Sequence, residues 1–183
     1  MWISEIEHYQ PYNEQEIKDK QAMLQCIHTF DDVLTRNNPI CHMTVSSFVM
    51  NQERTHVLMA YHNLYNSWAW MGGHADGDSD FLHVAKKELA EESGVTTAVP
   101  LSDEIFSIEV LNVLSHYKKG EFISSHLHLN VTFAFICDMD VELTVAVEEN
   151  SQVGWIKVEE LADKCDEPFM MPIYEKLIEK MKK

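Results

Sequence analysis

Three glutamates recur at close spacing near the middle of the chain. On a helical wheel, which turns by about 100° per residue, Glu88, Glu91 and Glu92 fall within an arc of roughly 100°. An apolar stripe lies beside them, formed by Leu82, Ala85 and Leu89. A helix packed through that stripe would hold three like charges at the edge of a cleft, which is unfavourable unless a cation neutralises them.

A hard divalent cation would relieve this repulsion. Mg²⁺ and Mn²⁺ prefer carboxylate and carbonyl oxygens, and the glycine-containing loop before the helix (Gly72, Gly73 and Gly77) can bring a backbone carbonyl close to the same ion. Lys87 is placed to pair with Glu91 four residues later, but one lysine does not neutralise three glutamates. The alternative is a solvated acidic helix face, and the wheel alone leaves both interpretations open.

The spacing within residues 73–95 resembles the signature of the MutT/Nudix hydrolase family. The positions that match are Gly73, Glu88, Leu89, Glu91, Glu92, Gly94 and Val95. Ser79 stands where the signature has its first glutamate, and Lys87 stands where it has an arginine. Residues 154–161 are similar to the family's late strand and short helix, so the resemblance covers about residues 42–163.

The resemblance implies an α/β (α+β) domain with a mixed β-sheet between helices, here with an added N-terminal helix. It also implies hydrolysis of a diphosphate linkage in a nucleoside diphosphate derivative or a related metabolite, with Mg²⁺ (or Mn²⁺) as cofactor. Glu88, Glu91 and Glu92 match the catalytic and metal-binding glutamates, and Gly73 matches a glycine whose carbonyl joins the metal shell. Glu149 is expected as a further catalytic acid from the loop before the late tryptophan, with a plain polar loop as the alternative. Either Glu88 or Glu149 is the expected general base.

Four more residues are expected to contact the substrate: His74, Lys87, His126 and His128. His74 can hydrogen-bond phosphate or be an ordinary loop residue, and Lys87 can neutralise phosphate or pair with a glutamate. His126 and His128 share one face of a predicted strand, which lines the cleft or is simply half exposed. A three-histidine zinc site is not predicted, because no third ligand stands at an indicative spacing.

The two departures from the signature keep a second function open. Ser79 carries no charge, and Lys87 lacks the planar five-donor fork of arginine, whereas the three glutamates are intact. A working Mg²⁺-dependent hydrolase is the first interpretation. The alternative is a Nudix-fold nucleotide-binding or sensor module with weak or no hydrolysis. An isopentenyl diphosphate isomerase of the same fold is not favoured, because no segment resembles the cysteine-centred one of that enzyme.

The apolar pattern predicts the elements that position these groups. Helices are predicted at residues 13–35, 80–93, 158–165 and 169–181, and strands at 42–50, 55–61, 105–115, 126–137 and near 153–156. Residues 68–80 are predicted as a glycine-containing loop. Residues 1–40 are expected to be a helical extension packed on a domain formed by residues 41–183. The extension caps the sheet or makes a dimer contact.

The composition indicates which classes of binding partner to expect. The 183 residues include 14 Lys plus Arg and 30 Asp plus Glu, for a formal net charge of −16. Such a charge argues against general nucleic-acid binding, and no apolar run is long enough for a membrane span. The first residues do not resemble a signal peptide, and the four dispersed cysteines fit reduced thiols. We therefore expect a cytoplasmic protein with a small-molecule diphosphate substrate, and a homodimer stays open.

Overall fold

The computed structural model of the protein describes residues 2–64, 66–118, 120–147 and 150–183. Its helices are α1 (Trp2–His8), α2 (Glu14–Thr29), α3 (Phe81–Ser93), α4 (Leu161–Lys164) and α5 (Met171–Met181), with a 3₁₀ turn at Val158–Glu160. Its strands are β1 (Cys41–Met50), β2 (His56–His62), β3 (Ser67–Ala69), β4 (Met71–His74), β5 (Val99–Pro100), β6 (Ser107–Val113), β7 (His116–Lys118), β8 (Glu121–Ile123), β9 (His126–Ile136) and β10 (Asn150–Lys157).

The main sheet is mixed and is built around β1. β1 pairs in parallel with β9 along its whole length, which sets His42 opposite His128, and it pairs antiparallel with β2 and β4. The strand order is β10-β2-β1-β9-β5, with β3 on β2, β4 on β1 and β6 on β9. All ten residues of β1 are buried, as expected for a central strand that is covered on both faces.

Helices cover both faces of this sheet. Side chains alternate between the faces along β1, so Met43 and Val45 join the core that contains α3 and parts of α1 and α2. Phe48 and Met50 face the other way and belong to the core around Tyr174 of α5. The mixed α+β architecture with a sheet between helices is therefore confirmed.

The N-terminal helices cover one edge of the sheet. The backbone N–H of Val110 in β6 donates to the Asp19 carboxylate at 3.0 Å. The Gln15 side-chain amide donates to the Ile108 carbonyl at 3.1 Å. These contacts use backbone groups that a free strand edge would leave open to another chain. Of the two predicted roles for the extension, capping of the sheet is the one that the contacts support.

Some predicted boundaries are wrong. The helix predicted over residues 13–35 ends at Thr29, because Phe30 adopts extended backbone angles (φ −121°, ψ 132°). Val33 is nevertheless only 2% exposed, so the apolar pattern after Thr29 reflects burial and not helix. Residues 68–80, predicted as a loop, contain β4 and most of β3, and α1 was not predicted at all.

Two further expectations concern the cysteines and the membrane. The cysteines are free thiols, as predicted: Cys26, Cys41, Cys137 and Cys165. None of the helices in the described ranges combines the length and the apolar character that a bilayer crossing requires.

Candidate active site

Helix α3 is capped at both ends. The Asp80 carboxylate accepts a hydrogen bond from the backbone N–H of His83 at 2.9 Å, which makes Asp80 the N-cap. Gly94 follows the helix with φ of 76°, a left-handed conformation that favours glycine. Ala85 and Leu89 are buried in the core. The predicted helix over residues 80–93 is thus confirmed, and its packing sets the direction of the three glutamates, hereafter the glutamate cluster (Glu88, Glu91 and Glu92).

Glu92 is the most firmly held member of the glutamate cluster. It is 8% exposed, and one carboxylate oxygen accepts a hydrogen bond from the backbone N–H of Gly72 at 2.7 Å. The other oxygen accepts from the Asn150 side-chain amide, also at 2.7 Å. The carboxylate is therefore anchored to β4 and β10 at once, and a charged acceptor strengthens both bonds.

Glu88 packs directly on Gly73. A Cβ built at Gly73 would lie 2.4 Å from the Glu88 carboxylate oxygen Oε2, a distance that no side chain tolerates. The Glu88 side chain is 15% exposed. Glycine at this position is thus what lets the carboxylate rest against the backbone of β4.

Glu91 and Lys87 form the outer part of the site. The Lys87 ammonium lies 3.2 Å from a Glu88 oxygen and 3.7 Å from a Glu91 oxygen. The pairing predicted for Lys87 is therefore present, and it extends to Glu88. These carboxylates raise the pKa of Lys87, with Glu88 as the main cause. The Glu91 side chain is 59% exposed, so this ion pair is open to solvent.

The residues around Glu92 fit a divalent cation. The side-chain oxygen of Asn150 is buried and has no hydrogen-bond partner, although the same amide already binds Glu92. A buried acceptor without a donor is costly and suits a bound ion or its water ligands. Carboxylate and amide oxygens are also the donor set that Mg²⁺ prefers. Asn150 was not predicted, since a lone polar residue at the start of a strand carries no sequence signal.

Residues 76–80, just before α3, make their own contacts, although Ser79 stands where the family signature has a glutamate. Two guanidinium nitrogens of Arg36 donate to the two Asp76 oxygens at 2.9 and 2.5 Å. The Asp78 carboxylate accepts from the backbone N–H of Asp80 at 2.9 Å. The N-terminal extension and local turns therefore hold this segment. Glu149 lies outside the described residues.

The predicted substrate-contacting histidines meet a fourth one. His74, His126 and His128 lie together with His42, and we call these four the histidine cluster. The ring centroids of His42 lie 5.0 Å from His74, 4.8 Å from His126 and 5.1 Å from His128. The argument against a three-histidine zinc site rested on sequence spacing, and strand pairing nevertheless brings His42 and His74 beside His128. His42 was missed because its proximity depends on the parallel pairing of β1 with β9, which sequence spacing does not reveal.

Burial lowers the pKa of three of these imidazoles. It lowers the pKa of His74 to about 3, with the positive charge of Arg36 adding to the effect. It lowers the pKa of His128 to about 2, helped by the neighbouring His74. The pKa of His42 is also lowered by burial, against an opposing hydrogen bond to the Asn38 carbonyl. His42, His74 and His128 are therefore uncharged at neutral pH, and each can offer a nitrogen lone pair.

Comparison with known proteins adds a family and a fold. A family model described as the NUDIX domain matches residues 41–177. A NUDIX-family hydrolase from Clostridium perfringens is 16% identical, with 76% of this chain and 97% of that chain covered and a TM-score of 0.53. An Ap4A hydrolase from C. elegans is 16% identical (76% and 94% covered, TM-score 0.52). The dihydroneopterin triphosphate pyrophosphohydrolase of E. coli is 14% identical (75% and 92% covered, TM-score 0.55). No curated protein matches the chain in sequence.

Proposed function

The chain belongs to the NUDIX domain family, and on that premise we propose that it hydrolyses a diphosphate linkage in a nucleoside diphosphate derivative or related metabolite, with Mg²⁺ or Mn²⁺ as cofactor. Hydrolases of this family act on pyrophosphate bonds and generally use a divalent metal ion. The substrate class is supported by two fold neighbours, one named for Ap4A and one for dihydroneopterin triphosphate. We further propose a cytoplasmic location, which the free thiols fit.

The observation that carries the proposal is the anchored carboxylate of Glu92. Its two hydrogen bonds keep it in one orientation, at 8% exposure, next to the strand that carries Gly73. Glu88, from the same helix, rests directly on that glycine. A site fixed before substrate arrives needs little reorganisation during reaction.

We assign the metal ion to the glutamate cluster and the backbone carbonyl of Gly73. When bound, the ion supplies a positive charge that offsets the substrate phosphates and makes a water molecule easier to deprotonate. This charge is essential here because the chain itself has a net charge of −16, which repels a diphosphate. Glu88 and Glu149 are the two candidates to accept the proton from that water.

Lys87 has a supporting role in this proposal. Its ammonium group already pairs with Glu88 and Glu91, so it holds their carboxylates and contributes positive charge near the phosphates. For His74, His126 and His128 we favour metal binding over the substrate contacts that the sequence predicts.

A hydrolysis screen tests the proposal. Nucleotide sugars, dinucleoside polyphosphates, nucleoside triphosphates and dinucleotides are incubated with the protein and Mg²⁺, and released phosphate or monophosphate is measured. Glu92→Gln should lower the rate by roughly 100-fold or more, since metal and acid–base contributions are of that size. Glu175→Gln, an exposed position on α5, is the matched control and should keep full activity.

Two outcomes would oppose the proposal. No turnover of any compound at several metal concentrations would count against hydrolysis. Thermal stabilisation by a nucleotide without product would favour the binding or sensor module, which the altered positions Ser79 and Lys87 keep open.

A further inference from the structure

We propose that the histidine cluster binds a divalent transition-metal ion of the zinc type, through His42, His74 and His128. Within the described residues, their ligand atoms all lie within 4.8 Å of one another. Three atoms at that spacing have a common centre no more than about 2.8 Å from each, so movements of about 0.7 Å would produce Zn–N bonds of about 2.1 Å. Imidazole suits zinc, copper, iron and nickel, whereas magnesium prefers oxygen ligands.

The hydrogen bond of His42 leaves its second nitrogen ready to bind a metal. Nδ1 lies 3.0 Å from the Asn38 carbonyl oxygen, and because a carbonyl only accepts, Nδ1 carries the proton. Nε2 then carries a lone pair. His42 is 5% exposed, and its Nε2 is buried without a hydrogen-bond partner. A metal-binding imidazole is typically oriented by such a bond from its other nitrogen to a backbone carbonyl.

His126 is the proposed fourth ligand, because a backbone carbonyl orients its ring in the same way as that of His42. Its Nδ1 lies 2.8 Å from the Ser124 carbonyl oxygen, so its Nε2 also carries a lone pair. That Nε2 lies 3.3 Å from Nε2 of His128. Two nitrogens on a tetrahedral zinc ion are separated by about 3.3 Å. The spacing therefore suits two ligands of one ion.

The proposed site is separate from the glutamate cluster. Gly73 and His74 are consecutive in β4, opposite Val45 and Thr44 of β1. Successive residues of a strand point to opposite faces, and the Gly73 side is the one that meets Glu88. His74 therefore projects from the face opposite α3. The proposal stands independently of the hydrolase function.

Titration of metal-free protein with Co²⁺, and then with Zn²⁺ in competition, tests the site. We expect one equivalent of Co²⁺ to bind with the visible absorption of a nitrogen-ligated tetrahedral ion, and Zn²⁺ to displace it. His74→Gln and His128→Gln should each weaken binding by at least about tenfold. His28→Gln, exposed on α2, is the matched control and should leave binding unchanged.

Further variants keep the result interpretable. His42→Asn is made with a circular dichroism check because His42 lies in the core, and the less buried His74 carries the test if that variant unfolds. The double variant Glu88→Gln/Glu92→Gln should retain the Co²⁺ spectrum. The proposal is overturned by no uptake of Co²⁺ or Zn²⁺ at micromolar concentration. It is equally overturned by tetrahedral Co²⁺ absorption that survives the histidine changes or that disappears in the folded glutamate variant.

Discussion

The glutamate cluster and the histidine cluster lie on opposite faces of one sheet and are assembled in different ways. The glutamates come from a single helix, α3, so their spacing in sequence sets their spacing in space. The histidines come from β1, β4 and β9 and meet only through strand pairing. Chemistry on one helix can therefore be predicted from residue spacing, whereas chemistry shared between strands requires the topology.

The two clusters also differ in charge, which predicts different ions. The glutamates are anionic and oxygen-based, so they favour a hard ion such as Mg²⁺ or Mn²⁺. The histidines offer nitrogen ligands, so they favour a zinc-type ion. Substitutions confined to one face of the sheet test whether the two clusters behave independently.

The largest expected effect on stability comes from a buried ion-pair group on the histidine face. Lys176 lies 3.0 Å from oxygens of both Glu16 and Glu109. The Glu109 carboxylate accepts from Asn130, whose own side-chain oxygen accepts from Thr44. Lys180 lies 3.2 Å from the same Glu16 oxygen, so two ammonium groups face two carboxylates and their charges balance.

Lys176→Met should therefore destabilise the fold by about 3–5 kcal/mol, because it removes the ammonium group beside the buried Glu109 carboxylate and leaves Glu16 with Lys180. Urea unfolding followed by circular dichroism measures the loss. Lys182→Met, exposed at the end of α5, is the control and should stay within about 0.5 kcal/mol. Adding Glu109→Gln to Lys176→Met should recover part of the stability, and no recovery would contradict the assigned pairing.

A smaller effect is expected on the glutamate face from Gly73→Ala. The added Cβ would lie 2.4 Å from the Glu88 carboxylate and must displace it. Because these atoms are the far end of a flexible side chain, the stability cost should stay at the low end of overpacking, about 1 kcal/mol or less, whereas hydrolysis should fall because Glu88 moves. The thermal midpoint and the rate are both measured.

Gly154→Ala is the matched control for that change. Its Cβ would meet Trp68 at an ordinary 3.8 Å. Equal losses in the two variants would argue against a special contact at Gly73.

The smallest expected effect is a pH dependence of fold stability, caused by Glu16 on the histidine face. Burial opposes the charge of Glu16, but the Tyr12 backbone N–H and the Lys176 ammonium outweigh it and lower the pKa of Glu16. A lowered pKa in the fold means that the stabilisation is present above the ordinary carboxyl pKa, near 4.5, and is lost as the pH falls further. Unfolding midpoints between neutral and acid pH measure this loss.

Variants separate Glu16 from the other carboxylates. Glu16→Gln should flatten the decline below about pH 4.5. Glu14→Gln, exposed in the same helical turn, should leave it unchanged. A decline of the same size in both variants would exclude Glu16 as its source.

Much of the fold could be predicted because the signals were local. Asp80 and Gly94 cap α3 at the expected ends, and β1 and β9 each agree with the prediction to within one residue. The helix predicted over residues 13–35 was too long, because apolar periodicity reports which residues are buried and not where the backbone turns. β4 was taken for a loop since it is a strand only through its pairing with β1.

In the candidate site too, the residues on one helix could be predicted from the sequence and those on distant strands could not. The positions of Glu88 and Glu92 on one helix followed from sequence spacing. Asn150 and His42 did not, because each reaches its cluster from a strand distant in sequence.

Mn²⁺ titration followed by electron paramagnetic resonance tests most directly whether the glutamate cluster holds the hard divalent ion. The measurement compares the unchanged protein with Glu88→Gln/Glu92→Gln and with His74→Gln. We predict that the glutamate variant loses Mn²⁺ binding and that His74→Gln keeps it. Binding that persists in the glutamate variant, or that disappears in His74→Gln, would contradict the account.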